Sequence, residues 1–193
     1  MHLVDVMNIC FPLPEADNDT ELHQSAVSTL SRTARAAKWK ELVNELRIWH
    51  TNRPLGLQAL LEVDDPESTF PTVVFTSGAG ISSNALYHTA MLLLLSDEQV
   101  DAQYSSAETN TPEMSPLWHA RRVCGIGINS EPGHMHCWDP VFIAAFSLAA
   151  RRITHPSQRD TIITCLYHVK ATGWHIDSLV DKLHSDWDSG LDR

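Results

Sequence analysis

Basic charge is scarce in this sequence: 14 Lys and Arg stand against 24 Asp and Glu, a formal net charge of −10. Binding nucleic acid means neutralising phosphates with cations. The densest basic stretch, Arg32, Arg35, Lys38 and Lys40, has the spacing of a solvated helix side rather than a phosphate track. Direct nucleic-acid contact by this chain is therefore not expected. Cysteine is also scarce. Cys10, Cys124, Cys137 and Cys165 are far apart with no C-x-x-C pair, which argues against a disulfide framework or a zinc ribbon and points to thiols in a reducing compartment. No apolar run is longer than that from Ala90 to Leu95, far short of the roughly 20 residues that span a bilayer. The stretch from Met1 to Pro14 lacks a basic leader and makes a poor signal peptide. An intracellular, soluble protein with no membrane partner is the expectation.

Motifs for group transfer are missing too. There is no G-x-S-x-G elbow and no Gly-Lys-Ser/Thr ending for a phosphate loop. Ser77-Gly78-Ala79-Gly80-Ile81-Ser82-Ser83 and the glycine-rich stretch from Gly125 to Gly133 read as turns at helix ends rather than nucleotide cradles, since neither has a parallel sheet to hold it. The densest set of metal-ligand types is His134, His136 and Cys137, which Cys165 and His168, at i, i+3 on one helix face, could complete. The plainer reading is a connection between helices. His88, beside Tyr87 in the most apolar segment, reads as a hydrogen-bonded core histidine rather than a base. The pairs Trp39/Trp49 and Trp174/Trp187 read as packing. No catalytic, cofactor-binding or metal residue is assigned, and no cofactor is expected.

What is present is helical periodicity. With 193 residues, 43% of them hydrophobic, the chain is long enough to bury about 70% of its unfolded surface without a metal or disulfide. Residues 1–33 read as a poorly anchored N-terminal segment, loop-like over Pro12 to Asp19, and 34–193 as one helical domain. Trp39, Leu42, Val43, Leu46 and Trp49 form one stripe over Ala34 to His50, and Arg53-Pro54 ends that helix. Pro54 to Thr72 reads as an irregular connection, and Pro71 argues against a sheet at Phe70 to Phe75. Further helices are expected over Ser82 to Ser96 with Ser82 or Ser83 as N-cap, Ser115 to Asn129, Asp139 to Arg152, Ser157 to Ala171 with Ser157 as cap, and after Trp174. Gly125 and Gly127 weaken their helix unless two elements approach closely there, and Gly173 fits a C-terminal glycine cap. The expected fold is all-α, an irregular bundle of about six amphipathic helices.

The stretch from Trp118-His119-Ala120-Arg121-Arg122-Val123-Cys124-Gly125-Ile126 through Asp186-Trp187 resembles the C-terminal regulatory region of fungal zinc-cluster transcription factors, the fungal-specific transcription factor domain. Thr161 to Trp187 carries it most clearly, as an apolar helix, Thr172-Gly173-Trp174, then a helix ending in Trp. Trp39 to Pro54 and Tyr87-His88-Thr89-Ala90 followed by Met91 to Leu95 are also similar, so the likeness spans roughly 35 to 188. It implies a nuclear regulatory domain that senses a protein partner or a small-molecule effector and is not an enzyme. The sequence departs from that family in lacking the six-cysteine zinc cluster and its basic linker, so no zinc-binding or DNA-contacting residue carries over. Outside the resemblance, the residues leave open a cytoplasmic protein, a small metal- or thiol-dependent enzyme, and an interaction scaffold acting through residues 176–193.

Overall fold

The computed structural model describes residues 2–10, 24–65, 67–96, 111–130 and 138–190. Among these there are seven α-helices: α1 His2–Cys10, α2 Gln24–Asn52, α3 Gly78–Leu95, α4 Pro116–Asn129, α5 Pro140–Ala150, α6 Pro156–Ala171 and α7 Asp177–Gly190. Strands β1 Leu61–Val63 and β2 Thr72–Val74 lie between α2 and α3. The described residues are all-α apart from this ribbon.

Helix α3 is the centre, because its sequence is apolar nearly all round. Leu, Met, Ala and Tyr alternate with only a few polar groups, and residues on every side of it are buried. Its two flanks join different cores. On one flank Tyr87, Ala90, Met91, Leu94 and Leu95 pack with Trp39, Leu42, Val43 and Leu46 of α2. Val6 of α1 is fully buried in this cluster, inside the segment expected to be poorly anchored. On the other flank Ile81, Ala85 and Leu92 join a larger core built from α4 to α7 and β2. The α2 stripe is the one its spacing predicts, with Lys38, Lys40, Glu41, Asn44 and Arg47 exposed opposite it. The helix starts well before Ala34, at Gln24, and stops at Asn52 ahead of Arg53-Pro54.

Caps explain where the helices begin. The α3 N-cap is Ser77, whose Oγ accepts from the Gly80 N–H at 3.0 Å, and not Ser82 or Ser83. The low helix propensity of Gly78 and Gly80 hides this first turn from a sequence reading; Ser83 instead donates back to the Ala79 carbonyl at 2.7 Å. Ser115 and Asp139 cap α4 and α5 through the N–H groups of Trp118 and Phe142. On α6 the capping position is His155, with no side-chain cap bond, and Ser157 hydrogen-bonds the His155 ring. Gly173 takes a φ of +102° after α6, as expected of a glycine that ends a helix. Two indoles close other helix ends: Trp39 Nε1 donates to the Leu94 carbonyl at 2.8 Å and Trp187 Nε1 to the Ala150 carbonyl at 3.0 Å.

A sheet was not expected, and the ribbon corrects that reading. β1 and β2 pair antiparallel with Leu61 opposite Val74 and Val63 opposite Thr72. Pro71 precedes β2, where its missing N–H interrupts no ladder bond. The partner comes from within the proline-rich connection. The same chain segment explains Gly125: a Cβ there would lie 2.5 Å from the Pro71 carbonyl oxygen, which Asn129 Nδ2 also approaches at 3.1 Å. At Gly127 a Cβ would meet the Phe146 ring at 2.7 Å. Both glycines serve close approach, and the helix tolerates their propensity cost for that reason.

Replacing Gly125 with Ala should therefore destabilise the protein by about 1–3 kcal/mol through overpacking against backbone. Gly173→Ala, which meets nothing within 4 Å but must hold a positive φ, should cost about 1 kcal/mol. Urea midpoints of the two variants against wild type measure both, with Gly125→Ala the larger loss.

Candidate functional site

Helix α3 cannot turn His88 to water, so the imidazole is 4% exposed and has to be satisfied within the fold. Its Nδ1 lies 2.9 Å from Nδ1 of His119, near the start of α4, and His119 Nε2 lies 2.9 Å from the backbone carbonyl of Glu113. A carbonyl only accepts, so His119 carries its proton on Nε2. Its Nδ1 then accepts, and His88 donates from Nδ1. One chain of hydrogen bonds fixes both tautomers. Around it the ring of His50 stacks on Tyr87 with centroids 4.3 Å apart, and Trp118 meets His88 edge-on at 5.5 Å.

These imidazoles are held neutral. Burial pushes His50 down to about 4, with Arg53, His119 and Arg122 adding repulsion. Burial also takes His119 to about 4, against the opposing pull of the Glu113 carbonyl. His88 falls well below its ordinary value for the same first reason, helped by its cationic and imidazole neighbours. Burial raises the Tyr87 phenol to about 12, so it stays a hydroxyl.

The cation beside this group is Arg122, one helical turn after Trp118. Its guanidinium carbon sits 4.6 Å from the Trp118 ring centroid, and only 6% of the side chain is exposed. Nη1 lies 2.7 Å from Glu62 Oε1 of β1 and Nη2 contacts Asp64 just beyond that strand. The two carboxylates reach it from the exposed ribbon. Between them, α2, α3, α4 and the turn at Pro112–Met114 leave a cleft of about 510 Å³ lined by His50, Tyr87, Trp118, Arg122, Glu62 and Asp64 among others. It is a built recess with a buried cation, aromatic walls and neutral polar rings beneath them.

Of the residues singled out in the sequence, His88 and Tyr87 fall together here, His88 as the hydrogen-bonded interior histidine expected of it. Trp39 is packed in the α2 core as expected, Trp187 in that of α7, and Trp49 and Trp174 pack against those cores half-buried. His134, His136 and Cys137 lie outside the described residues. Cys165 and His168 share a face of α6 and line a separate apolar groove of about 290 Å³ beside Trp138. No group of three metal-ligand side chains occurs among the described residues. Cys124 is fully buried and its thiol is pushed up by that burial, which leaves it protonated rather than nucleophilic. Sequence reasoning passed over His50, His119, Glu62, Asp64 and the role of Arg122. The one local signal was Trp118 and Arg122 at i, i+4, the spacing that stacks a guanidinium over an indole.

The depressed imidazoles fix a direction for pH. Above about pH 6.5 both folded and unfolded forms are neutral and the groups contribute no slope. Between about 6.5 and about 4 the unfolded chain takes up protons that the folded one refuses, so stability falls as pH falls through that window. Melting temperature should drop accordingly, and His119→Gln should flatten the slope while lowering stability near neutrality. A slope unchanged by that substitution would place the titration elsewhere. No family model, curated protein or solved structure matches this chain.

Proposed function

We propose that the chain is a regulatory domain of the kind found in fungal zinc-cluster transcription factors, working in the nucleus without touching nucleic acid itself. In this reading the cleft over Arg122 receives a small-molecule effector or a segment of a protein partner, and its filling biases the domain between two states. No catalytic role is assigned to any of its residues.

The observation that supports it best is the cleft floor. A recess of about 510 Å³ is walled by Tyr87, His50 and Trp118 and floored by a buried guanidinium, with neutral imidazoles beneath. The lining is mostly polar and charged, with Arg47, Glu62, Asp64, Glu113 and Arg122 set around the flat rings of Tyr87, His50 and Trp118, which suits recognition of a small polar ligand or segment. Chemistry is less well served, because the imidazole pair is locked in its own hydrogen-bond chain. The latch on Arg122 comes from a three-residue exposed strand, an element whose displacement costs little packing and could report occupancy. The net charge of −10 agrees with a protein-facing rather than a phosphate-facing role.

The test is a reporter assay. The chain is inserted between an unrelated DNA-binding module and an activation domain, with an unrelated helical domain of similar length as the control. Reporter output should differ severalfold from the control, and Tyr87→Ala or His50→Ala should change that difference while the protein still accumulates. Output equal to the control in every version would sink the regulatory reading.

A further inference from the structure

The cleft holds one cation that the fold has desolvated without giving it a permanent partner of equal burial. Arg122 is held against the Trp118 ring with 6% of its side chain exposed, whereas Glu62 and Asp64 are 39% and 59% exposed. The guanidinium cannot leave; the two acids can swing into water. The bond they make is also incomplete. Nη1 is in ion-pair contact with Glu62 at 2.7 Å but outside hydrogen-bonding geometry, and it is sealed from solvent. Among the described residues, β1 pairs with β2 at three positions, its three residues are exposed, and Glu62 is its ion-pair tie to α4. The pairs are half-exposed, because the two acids keep much of their hydration while the guanidinium does not, and a bidentate carboxylate enclosed on the same guanidinium would make the stronger contact.

From this geometry, and resting on the reading of the cleft as an effector site, we propose that Arg122 anchors a carboxylate-binding subsite in which Glu62 and Asp64 are resident stand-ins that the ligand displaces. The ligand is a planar aromatic or conjugated monocarboxylate. Its acid group takes the guanidinium fork, and its flat body lies along the wall made by Tyr87 and the stacked His50 ring. A dianion such as phosphate is less well matched than a monoanion, because Glu113 and the released Glu62 and Asp64 outnumber the lining cations Arg122 and Arg47. Release of the two acids frees β1, which connects occupancy of the cleft to the outer surface of the ribbon.

Titration calorimetry on the full chain tests this with benzoate as probe and benzylamine as its opposite-charge counterpart. Benzoate should bind wild type and benzylamine should not. In E62Q/D64N, where the stand-ins no longer compete as anions, benzoate should bind about tenfold tighter, the equivalent of one charge-assisted hydrogen bond no longer sacrificed. In R122K, which keeps the charge but loses the planar fork, it should weaken by about tenfold or more. Circular dichroism melting checks that each variant folds. If the double variant does not, D64N alone carries the same expectation at about threefold, and a rise in wild-type melting temperature with benzoate but not benzylamine supports the proposal independently. Equal affinities of wild type and E62Q/D64N, undiminished binding by R122K, preference for benzylamine, or no benzoate binding at all would overturn it. A responsive reporter with no benzoate binding would sink only this assignment. Benzoate binding with a flat reporter would sink the regulatory reading and leave the subsite standing.

Discussion

A helix buried over most of its surface has to settle its interior polar side chains within the protein, and α3 from Asn84 onward is such a helix. An unsatisfied buried amide or imidazole costs on the order of 1–3 kcal/mol, comparable to a sizeable share of a domain's net stability. The polar groups on α3 find their partners either in the helix itself or on other elements, and the latter fix something else. Asn84 Nδ2 reaches the Leu57 carbonyl at 2.7 Å and ties down the turn after α2. Thr89 returns its hydroxyl to the Ala85 carbonyl at 2.8 Å, within the helix. Among the described residues His88 bonds to His119, and that bond ties α3 to α4, sets two tautomers and leads on to the Glu113 carbonyl.

From there the arrangement follows α4. Its start carries His119 and the Trp118–Arg122 stack; its end carries Gly125 and Gly127, where the Pro71 backbone and the Phe146 ring come within reach of the helix surface. The same helix thereby holds the ribbon twice, by backbone packing at Pro71 and by ion pairs at Glu62 and Asp64. The first contact is buried and geometrically strict. The second is exposed and loose. A strand fixed at one margin and lightly tethered at the other has a natural direction in which to move.

The sequence made the helices legible because each is short-range physics: the α2 and α7 stripes, the caps at Ser115 and Asp139, the glycine after α6. It concealed the first turn of α3, where two glycines obscure a serine cap that the backbone nonetheless adopts. The ribbon was argued against at Phe70 to Phe75 because of Pro71, and its partner β1 stayed hidden because three residues give no period to count and show no buried face. The cleft was the least legible part. Arg122 and Asp64 are 58 positions apart, His88 and His119 31, and no local pattern announces that they meet. The eleven histidines made any one pairing uninformative until distances separated His88 and His119 from the rest. What that reading did contribute was the burial of His88 in the most apolar helix, the one fact from which the site can be rebuilt.

The two indole N–H groups that close helix ends have a consequence of their own. Trp39 sits over the last turn of α3 in the smaller core, and Trp187 over the end of α5 in the larger one. Each indole is buried and each would meet water as soon as its carbonyl came away. In variants that keep one of these two indoles and replace the other five tryptophans, the emission would shift to the red separately if the two cores loosen separately. The protein therefore carries a built-in optical record of which half of its interior gives way first.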